Sequence, residues 1–171
     1  MATKKSASKP IFKTSGGGNL LPWLGIATII LLLDQLTKIT ANKLMTLHQS
    51  IPVTSFFNIT LRFNEGAAFS FLANESGWQR YFFTIVGSVA AIVMVYMLKK
   101  NASERLFCWA ISLILGGAVG NVIDRIAYGH VIDFLDVHVA GMHWPAFNIA
   151  DSAICVGAIL FIWDEFRRVN K

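Results

Sequence analysis

The stretch NVIDRIAYGHVIDFLDVHVAGMHWPAFNIAD, Asn121 to Asp151, decides how the rest of this chain is read. It sets Asp124, Asp133, Asp136, Asp151, Asn121, Asn148, Arg125 and the histidines His130, His138 and His143 between two apolar runs, Leu106 to Ile123 and Ala153 to Trp163. Both runs read as membrane helices. Polar groups at such a border are costly unless they pair or serve a function. The connection therefore points to chemistry at a membrane surface, built around two aspartates.

Working outward, composition agrees. Of the 171 residues 54% are hydrophobic and 15% charged, against about 25% charged in soluble domains. The chain reads as an α-helical polytopic membrane protein forming one unit. Its net charge of +5 does not make it a nucleic-acid binder, because the basic residues gather at the ends of apolar runs and form no stripe interleaved with aromatics. Cys108 and Cys155 both lie inside apolar segments and read as small buried hydrophobes rather than a disulfide framework.

Residues 1–19 read as a flexible basic tail, carrying Lys4, Lys5, Lys9 and Lys13. The run from Leu20 resembles the apolar part of a secretory signal. It leads into Asp34-Gln35-Leu36-Thr37-Lys38 and not into a small-residue cleavage site, so it reads as a retained first helix over 20–41. Asp34 lies ~21 Å along that helix, and Lys38, four residues on, shares its face as a self-neutralising pair. Further spanning helices are expected at about 79–98, 105–124 and 148–166.

Residues 43–77 differ in kind. From Phe57 to Asn64, apolar Phe57, Ile59, Leu61 and Phe63 alternate with Asn58, Thr60, Arg62 and Asn64, the period of a half-buried strand. Asn64-Glu65-Gly66 signals a turn, and Ala67 to Leu72 is expected to return as a second strand. A small sheet lying on the membrane with its apolar face down accounts for the pattern.

Lysine and arginine set the orientation. With both termini and the link at Lys99 on one side, that side holds ten of the fifteen basic residues, so both termini are expected in the cytoplasm. The sheet and the connection over 125–147 then share the outer face. Gly116, Gly117 and Gly120 on helix 3, with Ala153 and Gly157 on helix 4, allow close helix packing, which draws the two ends of the connection together.

Within that connection, Asn121 shares a helix face with Asp124 and Arg125, and Asn148 with Asp151. Asp133 and Asp136 sit among Val131, Ile132, Phe134, Leu135 and Val137, which suggests a segment resting on the membrane surface. Two carboxylates brought together split their titration. One can then activate water while the other protonates a carbonyl or leaving amine. A metal site using His130, Asp133, Asp136, His138 and His143 lacks an ordered ligand spacing, and no Gly-x-Ser-x-Gly elbow supports a serine or cysteine nucleophile. The rival from another class is a small ion or proton transporter, since intramembrane carboxylates often mark ion pathways.

Five blocks in order carry a resemblance: Asp34-Gln35-Leu36-Thr37-Lys38, Asn64-Glu65-Gly66-Ala67-Ala68-Phe69, the run from Gly117 to Arg125, Val131-Ile132-Asp133-Phe134 and Phe147-Asn148-Ile149-Ala150-Asp151. Together they closely resemble bacterial lipoprotein signal peptidase (signal peptidase II), over about Leu20 to Phe166. The resemblance implies four transmembrane helices with a small β-cradle and a surface helix on the outer face. It also implies a membrane aspartic peptidase of the bacterial cytoplasmic membrane that needs no metal or other cofactor. Its substrates would be prolipoproteins already carrying a diacylglyceryl group on the cysteine that becomes the new N-terminus. Carried over, the catalytic pair is Asp133 and Asp151. Asn64, Gly66, Asn121, Arg125 and Asn148 match positions that line the substrate pocket or hold the pair. Asp34, Lys38 and Asp124 match supporting polar positions, and Asp136 and the histidines are left as bystanders. A monomer in contact with lipid, with no nucleic-acid partner, is expected.

Overall fold

A computed structural model of the chain describes residues 18–66 and 77–170. The basic tail, but for its last two residues, and the strand expected over Ala67 to Leu72 lie outside them. Four helices, α1 (Leu21–Leu44), α2 (Trp78–Lys100), α3 (Arg105–Ala127) and α4 (Ile149–Val169), alternate with strands β1 (Ser50–Thr54), β2 (Phe57–Asn64), β3 (Val131–Val139) and β4 (Met142–His143). Among the described residues, no helix lies outside these four.

The helices α1, α2 and α3 are each long and apolar enough to cross a membrane. α2 leaves Ile85, Val89, Ile92 and Tyr96 exposed, apolar surface that lipid would cover. α3 is the axis of the bundle and packs against all three other helices. Its glycines make this possible. A Cβ on Gly116 would meet the Ala27 carbonyl of α1, and one on Gly117 would collide with the Ala150 carbonyl of α4.

Local chemistry sets the helix ends. Pro22 starts α1, where its missing N–H costs nothing. Asn101 closes α2 by donating its side-chain amide to the Met97 carbonyl at 2.8 Å. Beyond α3, Gly129 adopts a left-handed φ of 87°, which a glycine accepts without strain. At the end of the bundle away from the sheet, Ala27, Met94, Leu98, Phe107, Ile111 and Leu115 form the core. There the Trp23 indole N–H reaches the Ala102 carbonyl at 2.9 Å, and Arg168 pairs with Glu104.

The opposite end is closed by one antiparallel sheet in the order β1-β2-β3-β4. β2 spans the residues that its alternation indicates. Its principal partner is β3, with Asn58 opposite Asp136 and Arg62 opposite Asp133. The segment expected to rest on the membrane surface is thus an inner strand, with Ile132 fully buried. Val131, Ile132 and Phe134 in its first half are buried against protein, whereas Val137 and Val139 towards its end are exposed. β3 turns into β4 through Ala140 (φ 51°) and Gly141 (φ 80°), positive values that suit a two-residue hairpin.

β3 is not regular. The N–H groups of both Phe134 and Leu135 converge on the Phe147 carbonyl, at 3.0 and 2.8 Å, and the β2–β3 register shifts between Ile59 and Arg62. Bulges of this kind re-aim side chains. An unbroken strand would turn Asp133 and Asp136, three residues apart, to opposite faces; here both border one groove.

Candidate active site

The site forms where β3 and the start of α4 meet the C-terminal half of α3. Asn148, fully buried, caps α4 in an extended conformation, and its Oδ1 accepts the Asp151 backbone N–H at 2.9 Å. This places Asp151 in the first helical turn, where a negative charge is favoured. The other end of the same amide, Nδ2, donates to Asp133 Oδ1 at 2.7 Å. One asparagine therefore touches both aspartates, through the backbone of one and the side chain of the other.

Two more asparagines repeat the arrangement. Asn64 Oδ1 accepts the Gly66 N–H at 3.0 Å, the turn indicated by Asn64-Glu65-Gly66, while its Nδ2 donates to Asp133 Oδ2 at 3.2 Å. Asn121 Oδ1 accepts from the Lys38 ammonium at 2.8 Å, and its Nδ2 donates to Asp151 Oδ1 at 2.8 Å. In each case a group that can only donate claims the amide oxygen, so the amide nitrogen must face the carboxylate. Asp133 is 2% exposed. Burial and the nearby charge of Asp151 push its carboxyl up to about 7, against the opposing pull of Asn64, Asn148 and Lys38.

Behind the pair lies a buried charge cluster. Lys38 Nζ is 2.8 Å from Asp34 and 2.9 Å from Asp124, all three side chains fully buried. The pairing of Asp34 with Lys38 has the expected i, i+4 spacing; Asp124 joins it from α3. Asp34 Oδ1 also accepts the Ala150 N–H at 2.8 Å, and Asp124 Oδ2 the Ile132 N–H at 3.2 Å. One ammonium with its two carboxylates thus ties α1, α3, α4 and β3 together. Gln35, which sequence reasoning passed over, donates to Asp124 Oδ1 at 2.9 Å; its place between Asp34 and Lys38 was the available signal.

The remaining expected residues separate. Arg125 donates to the Gly66 carbonyl at 2.8 Å and to the Asn121 carbonyl at 3.2 Å, and lies over the Phe83 ring. It braces the backbone on either side of the pair. Gly66 is buried beneath it. Asp136 stands apart from the pair and is held by Asn58 Nδ2 at 2.8 Å and His143 Nδ1 at 2.8 Å. Burial raises its carboxyl, but these two hydrogen bonds outweigh it and leave the group below its ordinary value. His138 stacks on His143, and His130 on Phe63. Asn58 was also missed, although it lies on the polar face of β2.

The molecule is a bundle of apolar helices with its buried charges gathered at one end, around a pair of amide-held carboxylates. A family model described as signal peptidase (SPase) II matches residues 26–167, and the chain belongs to that family. It is 68% identical over 157 residues to a lipoprotein signal peptidase of Janthinobacterium sp. (strain Marseille), covering 92% of this chain and 95% of that protein. It is 56% identical over 173 residues to one of Ralstonia nicotianae, covering all of both. A solved bacterial membrane enzyme superposes with a TM-score of 0.80 at 35% identity, covering 89% of this chain and 92% of that one.

Proposed function

We propose that this chain is a membrane aspartic endopeptidase that removes the signal peptide from diacylglyceryl-modified prolipoproteins, cutting on the N-terminal side of the modified cysteine. Asp133 and Asp151 are its catalytic pair. The observation that carries this reading is that both carboxylates accept hydrogen bonds from asparagine amides of fixed orientation. Family membership supports the substrate class.

In this mechanism the pair shares one proton at neutral pH, as close carboxylates do. The ionised member takes a proton from water as it attacks the scissile carbonyl, and the protonated member donates to the carbonyl oxygen. The amides of Asn64, Asn121 and Asn148 hold the carboxylates in place. Asp34, Lys38 and Asp124 fix the elements that carry them, and Arg125 with Gly66 frames the substrate pocket. No metal or other cofactor takes part.

All four helices span the bacterial cytoplasmic membrane over residues 20–168. The tail over 1–19 and the C-terminus lie in the cytoplasm, and the site faces outward. The sequence supports this orientation, with ten of its fifteen lysines and arginines in the two terminal segments and the link at Lys99. On the outer face lie the cradle over 43–77, a surface helix and the connection over 125–147. The exposed Ile51, Val53, Phe56, Val139 and Met142 suit a sheet that rests against lipid. The substrate's acyl chains remain in the bilayer, its signal helix lies beside the bundle, and the enzyme works as a monomer. The transporter reading has no support from the family.

Purified protein in detergent with a chelator present is expected to cleave a diacylglyceryl-modified precursor and to leave the unmodified precursor intact. Loss of cleavage with chelator, or ion flux in liposomes without cleavage, would overturn this reading.

A further inference from the structure

Asp136, Asn58 and His143 have no part in the proposed catalysis, yet Asp136 and His143 border the same groove as Asp133, and Asn58 holds Asp136 from behind. The groove holds about 610 Å³ and is lined also by Thr60, Arg62 and Trp144. Asp136 is 8% exposed and Asn58 likewise 8%, whereas just over half of the His143 side chain is exposed. A buried carboxylate, itself oriented by a buried amide, thus aims an accessible imidazole. Asp136 lies below its ordinary value. Its ionised oxygens only accept, so His143 Nδ1 carries the proton and Nε2 is left for a partner in the groove.

Position along β3 indicates what such an imidazole meets. Asp133 lies beside the Asn148 cap and the end of α3, whereas Asp136 is three residues further towards the exposed Ala140–Gly141 turn. At ~3.3 Å per residue the two are separated by roughly 10 Å along the strand. A chain leaving the catalytic pair in this direction moves away from the helices. An apolar signal helix would remain beside the bundle; the polar segment on the far side of the scissile bond would not.

Building on the endopeptidase reading, we infer that His143, positioned by Asp136 and Asn58, forms a subsite for the extended polypeptide about three residues beyond the scissile bond. The imidazole Nε2 hydrogen-bonds a backbone amide of that segment, and Trp144 and Thr60 flank it. The subsite reads backbone rather than a particular side chain, and so suits substrates whose mature sequences differ.

The test uses two diacylglyceryl-modified peptides with the same signal segment, one ending a single residue after the modified cysteine and one continuing for several more. The wild-type enzyme is expected to prefer the longer peptide by about fivefold to tenfold in kcat/KM, the scale of one hydrogen bond, with the difference mainly in KM. His143→Ala is expected to bring that ratio close to one. Asp136→Asn, which keeps the imidazole but weakens its hold, is expected to give an intermediate ratio. A wild-type ratio near one, or an unchanged ratio in His143→Ala, would overturn the subsite. A wild type that cleaves neither peptide would overturn the endopeptidase reading, and the subsite with it.

Discussion

Lys38 Nζ lies 2.8 Å from Asn121 Oδ1, and this contact decides which end of the Asn121 amide faces Asp151. Without the ammonium the amide could turn its oxygen towards a carboxylate, a repulsive arrangement. Lys38 is also the shared counter-charge of Asp34 and Asp124. Removing one member of a buried charge cluster costs about 3–5 kcal/mol, because the others are left unpaired. Lys38→Met is therefore expected to lower stability by that order and to lose activity. Thermal unfolding in detergent and a cleavage assay check both effects.

Asn148 performs two tasks that a single substitution can separate. Its oxygen caps α4 and its nitrogen holds Asp133. Serine caps helices about as well as asparagine but has no amide to reach across. Asn148→Ser is expected to keep α4 capped and to lower the rate of cleavage. Asn148→Ala should lose the cap as well, at a further cost of about 1 kcal/mol. A comparison of melting temperature and kcat for the two variants separates the contributions.

What could be read from the sequence was local. The alternation from Phe57 to Asn64 marks β2 because one period-two pattern fits an inner strand with one polar face. The spacing of Asp34 and Lys38 marks a pair because four residues make one helical turn. β3 escaped because its flanks are apolar on both sides, a pattern that a buried strand shares with a segment resting on lipid. Its partner, β2, is some seventy residues away, and no local signal encodes that register. The same holds for the third member of the charge cluster, Asp124, and for the bulge at Phe134 that brings Asp136 to the groove of Asp133.

The elevated carboxyl of Asp133 makes a claim about stability. In the folded protein it keeps its proton up to about 7, against an ordinary value of 3.8 for a free aspartate. Between those values the folded state binds more protons than the unfolded one, so stability falls as pH rises. The contribution is fully present below about 4 and lost above about 7. Asp136 acts oppositely, because its lowered value costs stability only as acid protonates it, below the Asp133 window. Melting temperature in detergent is expected to decline from pH 4 to 7, and Asp133→Asn to flatten that decline.

Gly120 lets α3 pass against Asp34. A Cβ there would collide with Asp34 Oδ2, and that carboxylate cannot retreat, being held by Lys38 and by the Ala150 N–H. Gly120→Ala is expected to destabilise by about 1–3 kcal/mol, the usual cost of overpacking. Gly25 on α1 is the control, since a Cβ there meets nothing within 4 Å. Gly25→Ala should be neutral or gain up to about 1 kcal/mol of helix propensity. Thermal unfolding of the two variants side by side checks the contrast.

Asp124 shares one hydrogen-bonded network with Asp133 and Asp151 but differs from them in its partners. Asp124 faces the Lys38 ammonium at 2.9 Å and the backbone of Ile132. A carboxylate so placed is suited to holding α1, α3 and β3 together, and poorly suited to exchanging a proton with substrate. Asp133 and Asp151 instead accept from neutral amides, which orient a carboxylate without neutralising it. Asp133→Asn and Asp151→Asn are therefore expected to retain the fold and each to lose at least about 10²–10⁴-fold in kcat, the contribution of a general acid or base. Asp124→Asn is expected to lower the melting temperature and keep measurable turnover. If Asp133→Asn were active and Asp124→Asn folded but inactive, the pair would have to be reassigned to Asp124 and Asp151. Circular dichroism beside single-turnover cleavage of a diacylglyceryl-modified precursor distinguishes these outcomes.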